Sequence, residues 1–473
     1  MNPVVVWFRR DLRVDDHAAF FHASRSGAPV FPLFIFDKKL IEALPSDGAA
    51  FDFQAEALRE LEDKLRLLGG TLLLRRGDAL EVHQELLRAF RPSALYFNRE
   101  YESGSGLRDE TVERLYRSAG AEVHTFSDML IHEPEDVLTG EGKPYVVFTP
   151  YANAWKKLPL PSPFGKPSRL NTPPVDSEPI PGAKELGRPV RIPEPILHGG
   201  ESQALKRWKW FLKNGLHSYA TARDLPAIDG TSRMSPYLRF GMISIRRMVE
   251  DVRAVIDEAP RSAAAVSAGK YLDELIWREF YAAVLFHFPR VAETNYRQVF
   301  DRLPWKSSAK HLSAWQEGRT GFPLVDAGMR QLNRTGWMHN RVRMAVASFL
   351  SKDLMMDWKV GERYFAERLL DIETASNNGG WQWSASTGVD PKPLRIFNPT
   401  LQAERYDPQG EYIRANVPEL RSVPTKYIHA PHTMPAAVQQ EAGCIIGTDY
   451  PAPIVDHASA AVFFKQAFAN AKR

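Results

Sequence analysis

The chain has 473 residues, enough for more than one hydrophobic core, and its 44% hydrophobic and 25% charged residues are those of a globular protein. A net charge of +4 is too small to announce a nucleic-acid partner by itself, so any such case rests on local clustering. The single cysteine, Cys444, excludes an internal disulfide framework and a cysteine-rich zinc site and fits a reducing, cytoplasmic setting. The opening "MNPVVVWFRRDLRVDD" carries only a short apolar run before its charges, which reads neither as a signal peptide nor as a membrane span, and no later run is long enough to cross a bilayer.

In chain order, short β-branched and aromatic runs come first: "PVVVWF", "PVFPLFIF", "TLLLRR", "ALYFN" and "AEVHTF". They alternate with helical patterns such as "FDFQAEALRELEDKLRLLGG", in which Leu58, Leu61, Leu65 and Leu68 share a face and Gly69 can stop the helix. Strand, helix, strand at this spacing predicts an α/β domain with a doubly wound parallel sheet over residues 1–130. Ligands of such sheets lie beyond the carboxyl ends of the strands, where the loop "RRDLRVDDH" falls. That loop lacks a glycine-rich dinucleotide fingerprint, and a set of internal salt bridges explains its arginines as well as a ligand does. A connector, residues 131–200, follows; from Lys156 to Gly200 it is so dense in proline that neither helix nor inner strand can persist. Beyond it the strands disappear, and "ESQALKRWKWFLKNGL", "SAAAVSAGKYLDELIWREFYAAVLF", "GFPLVDAGMRQLNRTGWMHNRVRMAVASFLSKDL" and "GERYFAERLL" predict an all-α domain over 201–473.

Four stretches of the helical part could carry chemistry. In "DGTSRMSPYLRFG", Thr231, Ser232 and Ser235 precede a predicted helix with Ser235 as N-cap and Pro236 at its first position, an arrangement that serves either as a cap or as a phosphate site. Basic residues dominate Lys206 to Arg247, as on a solvated helix face or on a DNA-binding surface. In "DELIWREF", Glu274, Trp277 and Arg278 stand at i, i+3 and i+4, a pocket wall for a flat polar ring or an amphipathic surface. In "GWMHNRVRM", Trp337, Asn340, Arg341 and Met344 are helically spaced, and the Asn and Arg need polar partners if buried. Finally "LLDIETASNNGGWQWSAS" sets Asp371, Glu373, Asn377 and Asn378 before Gly379 and Gly380 and reads as a tight polar turn beside Trp381 and Trp383.

Taken together these segments resemble the photolyase and cryptochrome family over nearly the whole chain, on "VVWFRRDLRVDDH", "RDLPAIDGTSRMSPYLRFG", "ELIWREFY", "GWMHNRVRM", "NNGGWQWSASTG" and "RIFNPTLQAERYDP" in that order. The likeness is greatest to bacterial class I cyclobutane pyrimidine dimer photolyases. It implies an antenna domain, a connector and a helical domain holding FAD, functional as FADH⁻. It also implies light-driven repair: the excited cofactor gives an electron to a flipped-out dimer in UV-damaged DNA, the cyclobutane bonds break, and the electron returns. By position, Tyr219, Thr231, Ser232, Arg233, Met234 and Ser235 would hold the FAD phosphates. Tyr271, Glu274, Arg278, Arg341, Asp371, Ile372, Glu373 and Asn377 would complete the cofactor site, with Arg341 paired to Asp371 and Asn377 near the reactive flavin nitrogen. Glu274, Trp277, Asn340, Met344 and Trp383 would line the dimer cavity. Arg223, Arg278, Arg341 and Arg395 would contact DNA, and Trp381, Trp358 and Trp305 would carry electrons to an oxidised flavin.

The family also contains (6-4) photolyases and light-sensing cryptochromes. The former typically carry histidines where this chain has Asn340 and Met344; the latter have less need of the dimer cavity and often bear a tail, whereas this chain ends soon after "YPAPIVDHASAAVFFKQAFANAKR". Two departures stand out. Glu373 replaces the usual aspartate, and Gly104 and Ser105 stand where folate-binding relatives have Asn and Glu, leaving the antenna chromophore open among a deazaflavin, a folate and a second flavin, or none. A monomer with no metal, no membrane and no obligate protein partner is expected. The two indoles receive separate duties, Trp381 to the flavin and Trp383 to the damaged base, with Gln382 as a spacer.

Overall fold

The computed structural model describes residues 1–43, 49–182, 184–187, 192–390 and 394–472. The N-terminal runs form five parallel strands, β1 (Val4–Phe8), β2 (Val30–Asp37), β3 (Leu73–Gly77), β4 (Ala94–Asn98) and β5 (Glu122–Phe126), in the order β3-β2-β1-β4-β5. Val4 pairs with Val30 on one side and Ala94 on the other, so β1 sits at the centre and its five apolar residues are all buried. The pleat divides them: Val5 and Trp7 face a core closed by Val82, Leu86, Val112 and Tyr116 of the helices Ala79–Phe90 and Ser103–Ser118. Val4, Val6 and Phe8 face the opposite core, with Phe20, Leu58 and Leu61 of the helices Ala18–Ser24 and Ala49–Leu67. That second core continues into the helical domain through Trp208, Tyr237, Met248 and Tyr271, so the two parts of the chain share one apolar interior.

The strand-end loop uses its charges internally. Arg9 pairs with Asp109 at 2.6 Å, Arg13 with Asp128 at 2.7 Å, and Arg246 of the helical part with both Asp16 and Asp128, at 3.0 and 2.6 Å. Of the two readings open for "RRDLRVDDH", salt bridging is the one these residues satisfy, and the carboxylates come from far along the chain. Within 131–200 a helix, Phe148–Trp155, precedes the proline-rich run. Beyond it the described connector residues form no helix or strand and cross the sheet edge, Leu170 and Glu178 donating their amides to Leu68 and Leu74. Residues 183 and 188–191 of this stretch lie outside the described residues.

The longest helix, Ala263–His287, is capped by the Ser262 hydroxyl and packs on Phe148–Trp155. Glu279 anchors that contact: its carboxylate accepts from Trp155 Nε1 at 2.5 Å and from the Ile131 amide at 2.6 Å, and burial pushes its pKa up to about 7. Between pH 4.5 and about 7 the folded protein therefore holds a proton that the unfolded chain has released, and this group makes stability fall as pH rises through that window. Glu279→Gln should lack the decline, so the unfolding midpoint of the wild type should drop relative to the variant between about pH 5 and about pH 8. A pH-independent difference would remove the assignment.

The predicted long segment 321–354 divides into two helices, Pro323–Thr335 and Asn340–Ser348, because Gly336 adopts φ +67° and ends the first. No helix among the described residues is long and apolar enough to cross a membrane.

Candidate functional site

The helical domain encloses a cavity of about 510 Å³, within the range of small-molecule sites. One end is made by the segment predicted as a helix start. The helix there runs from Ser235 to Arg239 and Met234 is its cap, so Ser235 is the first helical residue and not the N-cap; its hydroxyl is spent on Asp371 Oδ2 at 2.5 Å. Ser232 accepts from the Tyr271 hydroxyl at 3.0 Å and from the Met234 amide at 3.2 Å. Arg233 adopts φ +57°, a left-handed turn that sends its guanidinium to Asp229 and over the Trp337 ring. Tyr219, Thr231, Ser232, Arg233, Met234 and Ser235 all line the cavity.

Asp371 pairs with Arg343, whose two terminal nitrogens lie 3.1 and 2.8 Å from its oxygens. The expected partner, Arg341, instead binds Asp224 at 2.8 Å, lies over Tyr406 and does not line the cavity. Helical spacing explains the correction: with the helix beginning at Asn340, positions 343 and 344 share its face and 341 does not. Trp337 lies before this helix, yet its ring still reaches the cavity wall.

Glu373 joins three elements. It accepts from Arg278 at 2.8 and 3.1 Å, from Arg10 of the β1 loop at 3.0 Å and from the Ser376 hydroxyl at 3.1 Å. Burial opposes its ionisation, but Arg278 and Arg10 prevail and hold its pKa below the ordinary carboxylate range. Arg278 also donates to the Met129 carbonyl. With its side chain only 11% exposed, it stands in the cavity wall and not at the rim where it was expected.

The presumed polar turn is a helix, Thr374–Ala385. Gly379 is needed for packing, since a Cβ there would run into the Tyr281 ring, while Gly380 has no neighbour within 4 Å of its Cβ position and opens on the cavity. Gly379→Ala is expected to cost about 1–3 kcal/mol of stability by overpacking, seen as a lower unfolding midpoint, whereas Gly380→Ala should leave the midpoint in place. Asn377 donates to the Glu362 carbonyl and Asn378 to the Glu362 carboxylate, both at 3.0 Å, and burial pushes Glu362 up to about 7. Gln382 is no spacer. Its amide binds Val291 O and Asn378 Oδ1, and its oxygen accepts the Tyr296 amide, pinning the 291–296 loop to the helix.

Elsewhere on the wall, Trp277 stacks on Phe148 with centroids 3.8 Å apart and planes within 5°. Glu274 is bound by Arg223 at 2.5 Å; burial raises its pKa against that pull. Asn340, Met344, Ile372, Trp383 and Arg395 complete the wall. Among the lining residues that sequence reasoning missed are Arg343, Tyr281, Ser376 and Phe365; the i+3 spacing from Asn340 was the available signal for the first. Trp358 and Trp305 lie outside the cavity. Trp358 is fully buried in the core that also holds Trp381, and half-buried Trp305 packs against that core.

The lining suits a large phosphate-bearing heterocycle. Trp381 Nε1 and Arg233 Nε are buried cavity-wall donors with no partner among the described residues, hydroxyls cluster at one end, and Gly380 leaves the wall open. A parallel α/β domain whose core runs into a helical domain with such a cavity defines a two-domain nucleotide-cofactor protein. Residues 4–168 match the family described as "DNA photolyase" and residues 271–470 match "FAD binding domain of DNA photolyase". The chain is 40% identical to the deoxyribodipyrimidine photo-lyase of Escherichia coli, over 100% of both chains. A bacterial class III photolyase from Agrobacterium tumefaciens superposes with a TM-score of 0.93 at 38% identity, covering 100% of this chain and 98% of that one. A Synechocystis cryptochrome superposes at 0.90 and 28% identity, covering 98% and 99%. The chain belongs to the DNA photolyase family, and its helical domain is the FAD-binding domain of that family.

Proposed function

We propose that this protein repairs cyclobutane pyrimidine dimers in UV-damaged DNA under light, with the dinucleotide flipped into the cavity. The observation that carries the reading is one cavity lined both by a hydroxyl and arginine cradle at 231–235 and by Glu274 with the aromatic rings of Trp277 and Trp383. FAD bound in the cradle would supply the light-driven electron. The chain's own part is placement. Tyr219 and Thr231 to Ser235 bind the phosphates; Asp371, fixed by Arg343 and Ser235, accepts from the flavin edge; Asn377, held by Glu362, presents its amide to the ring; and Tyr271, Ile372 and Arg278 close the wall. Glu274, its ionisation opposed by burial, meets the carbonyl and amide edge of the dimer together with Asn340, while Trp277, Met344 and Trp383 exclude water from it. Arg223 and Arg395 stand at the mouth for the strand, and Arg341 serves DNA at most from outside the cavity.

The deciding experiment compares loss of dimers from irradiated oligothymidylate in light and in darkness with the reduced protein. Light-dependent loss is expected; equal loss in both would overturn the light-driven reading, and no loss in either would overturn it in favour of a light sensor. Chromatography of released chromophores reports FAD and any antenna pigment, and gel filtration the expected monomer.

Trp381 and Trp383 offer a second test. On one helix two positions apart they face different ways: Trp381 is 2% exposed against Phe365 and Trp315, whereas Trp383 is half-buried on the cavity wall. Trp381→Phe should slow photoreduction of oxidised protein and spare repair by pre-reduced protein. Trp383→Ala should weaken dimer binding by about 1–3 kcal/mol. A shared defect in the two variants would end this division of labour.

A further inference from the structure

Beside the large cavity lies a smaller one of about 30 Å³ that shares Trp383, Ser384, Asp390 and Arg395 with it. Its buried cation is Lys352, 3% exposed, on the wide helical turn Phe349–Asp353. The ammonium donates to Ser386 Oγ at 3.0 Å and to the Arg395 carbonyl, both neutral acceptors, and no carboxylate lies within 4.0 Å of it among the described residues. Ser348, one turn earlier and 1% exposed, has a hydroxyl with no hydrogen-bond partner among the described residues. Arg297 and Arg395, the other two cations of the wall, have no ion-pair partner among the described residues, and Asp390 is the sole anion of the lining. Asp390 is occupied elsewhere, accepting from the Phe148 amide.

Burying Lys352 and an unsatisfied hydroxyl beside half-buried Arg297, with exposed Arg395 at the mouth and a single carboxylate already occupied, is costly unless an anion joins them. The cost is visible on Lys352, which burial brings down to about 7 against the weaker pull of Asp353. The ligand that this wall matches has several acceptor oxygens and at least one negative charge, which is the chemistry of a phosphate group.

We infer that Arg297, Ser348, Lys352, Ser386 and Arg395 form an oxyanion subsite that takes a backbone phosphate of the DNA strand whose dinucleotide enters the large cavity. The inference rests on the function proposed above, and the wall shared through Trp383 and Arg395 is what ties the phosphate to that strand and not to free phosphate. Lys352 and Arg297 thereby become binding residues that hold the backbone while the bases leave the stack. Phosphate contacts position without reading sequence or damage, so the subsite serves irradiated and intact DNA equally.

The test uses the full-length protein with its bound flavin and measures affinity for irradiated and unirradiated oligothymidylate over a range of salt. Each lost phosphate contact should reduce the slope of log affinity against log salt by about 0.7 for a single strand. Lys352→Met and Arg297→Gln should each show that reduction and weaken both DNAs by the same factor, while Lys352→Arg keeps the slope of the wild type. Because Lys352 is buried, its Met variant could fail to fold; half-buried Arg297 then decides, its folding checked by the unfolding midpoint. Unchanged slopes in folded variants would overturn the subsite. A third arm adds inorganic phosphate: if it raises the wild-type midpoint, and the variants lose that response while keeping their DNA slopes, the pocket binds a free anion and the assignment to DNA fails. Failure of the functional reading is separate, since a wild type that removes no dimers in light can still show these slopes.

Discussion

Glu373→Ala should lower stability by about 3–5 kcal/mol, the range for stripping one partner from a buried ion pair, and should do so although no apolar core is touched. Arg10 and Arg278 have side chains only 10% and 11% exposed, and Glu373 lies at 3.0 and 2.8 Å from them. Among the described residues, removing the carboxylate leaves Arg278 with only the Met129 carbonyl, and Arg10 with Glu102 and the Arg239 carbonyl. Since the β1 loop supplies Arg10 and the helical domain supplies Arg278, the loss should fall on the joint between the sheet and the cofactor cavity. Denaturant unfolding measures it, and a cycle with Arg10→Met isolates the pair: the double variant should cost less than the two single changes summed. Glu373→Asp, a methylene shorter, should keep one arginine and forfeit the other. The pH dependence has a fixed sign. Because the folded-state pKa is depressed, the stabilisation is present above the ordinary value of 4.5 and disappears as pH falls through the lower folded value. A Glu373→Ala variant as stable as the wild type would show that the glutamate has no structural consequence.

Much of this architecture was legible because its signals are local. The alternation of "VVVWF" and "VFPLFIFD" with amphipathic helices specifies parallel strands buried on both faces, and Gly69 and the prolines of the connector mark ends that need no distant partner. What was not legible depends on contacts across the fold. The glycines of "NNGGWQWSAS" read as a turn because Gly lowers helix propensity, but Gly379 sits in a helix to admit Tyr281, a residue almost a hundred positions earlier. The resemblance pairs Asp371 with Arg341, but the start of the Asn340–Ser348 helix puts Arg343 on the face that meets it. The loop "RRDLRVDDH" left ligand and salt bridge open because its carboxylates, Asp109, Asp128 and Glu373, arrive from three later segments. Motifs brought the chemistry-bearing residues to one cavity. Which charge neutralises which was decided by packing.

Trp277→Ala is expected to give the largest loss of lesion affinity, about 1–3 kcal/mol or roughly 5- to 150-fold in Kd, with a smaller change for undamaged DNA. The indole lies parallel to Phe148 at 3.8 Å and contacts Phe280 and Tyr281 at its edges, so it is held rigid before any base arrives. A fixed ring loses little freedom on binding, and an extruded dimer, already poorly stacked in the duplex, gains from it what an intact, well-stacked pair has no need to seek. The selectivity should therefore collapse faster than the affinity: anisotropy titrations with irradiated and unirradiated oligothymidylate should converge in the variant, because the phosphate contacts common to both survive. Trp277→Phe, which keeps an aromatic face against Phe148, should recover part of the difference. An equal loss for both DNAs would mean that Trp277 only braces the Phe148–Trp155 helix, and that lesion recognition resides on the Trp383 side of the cavity.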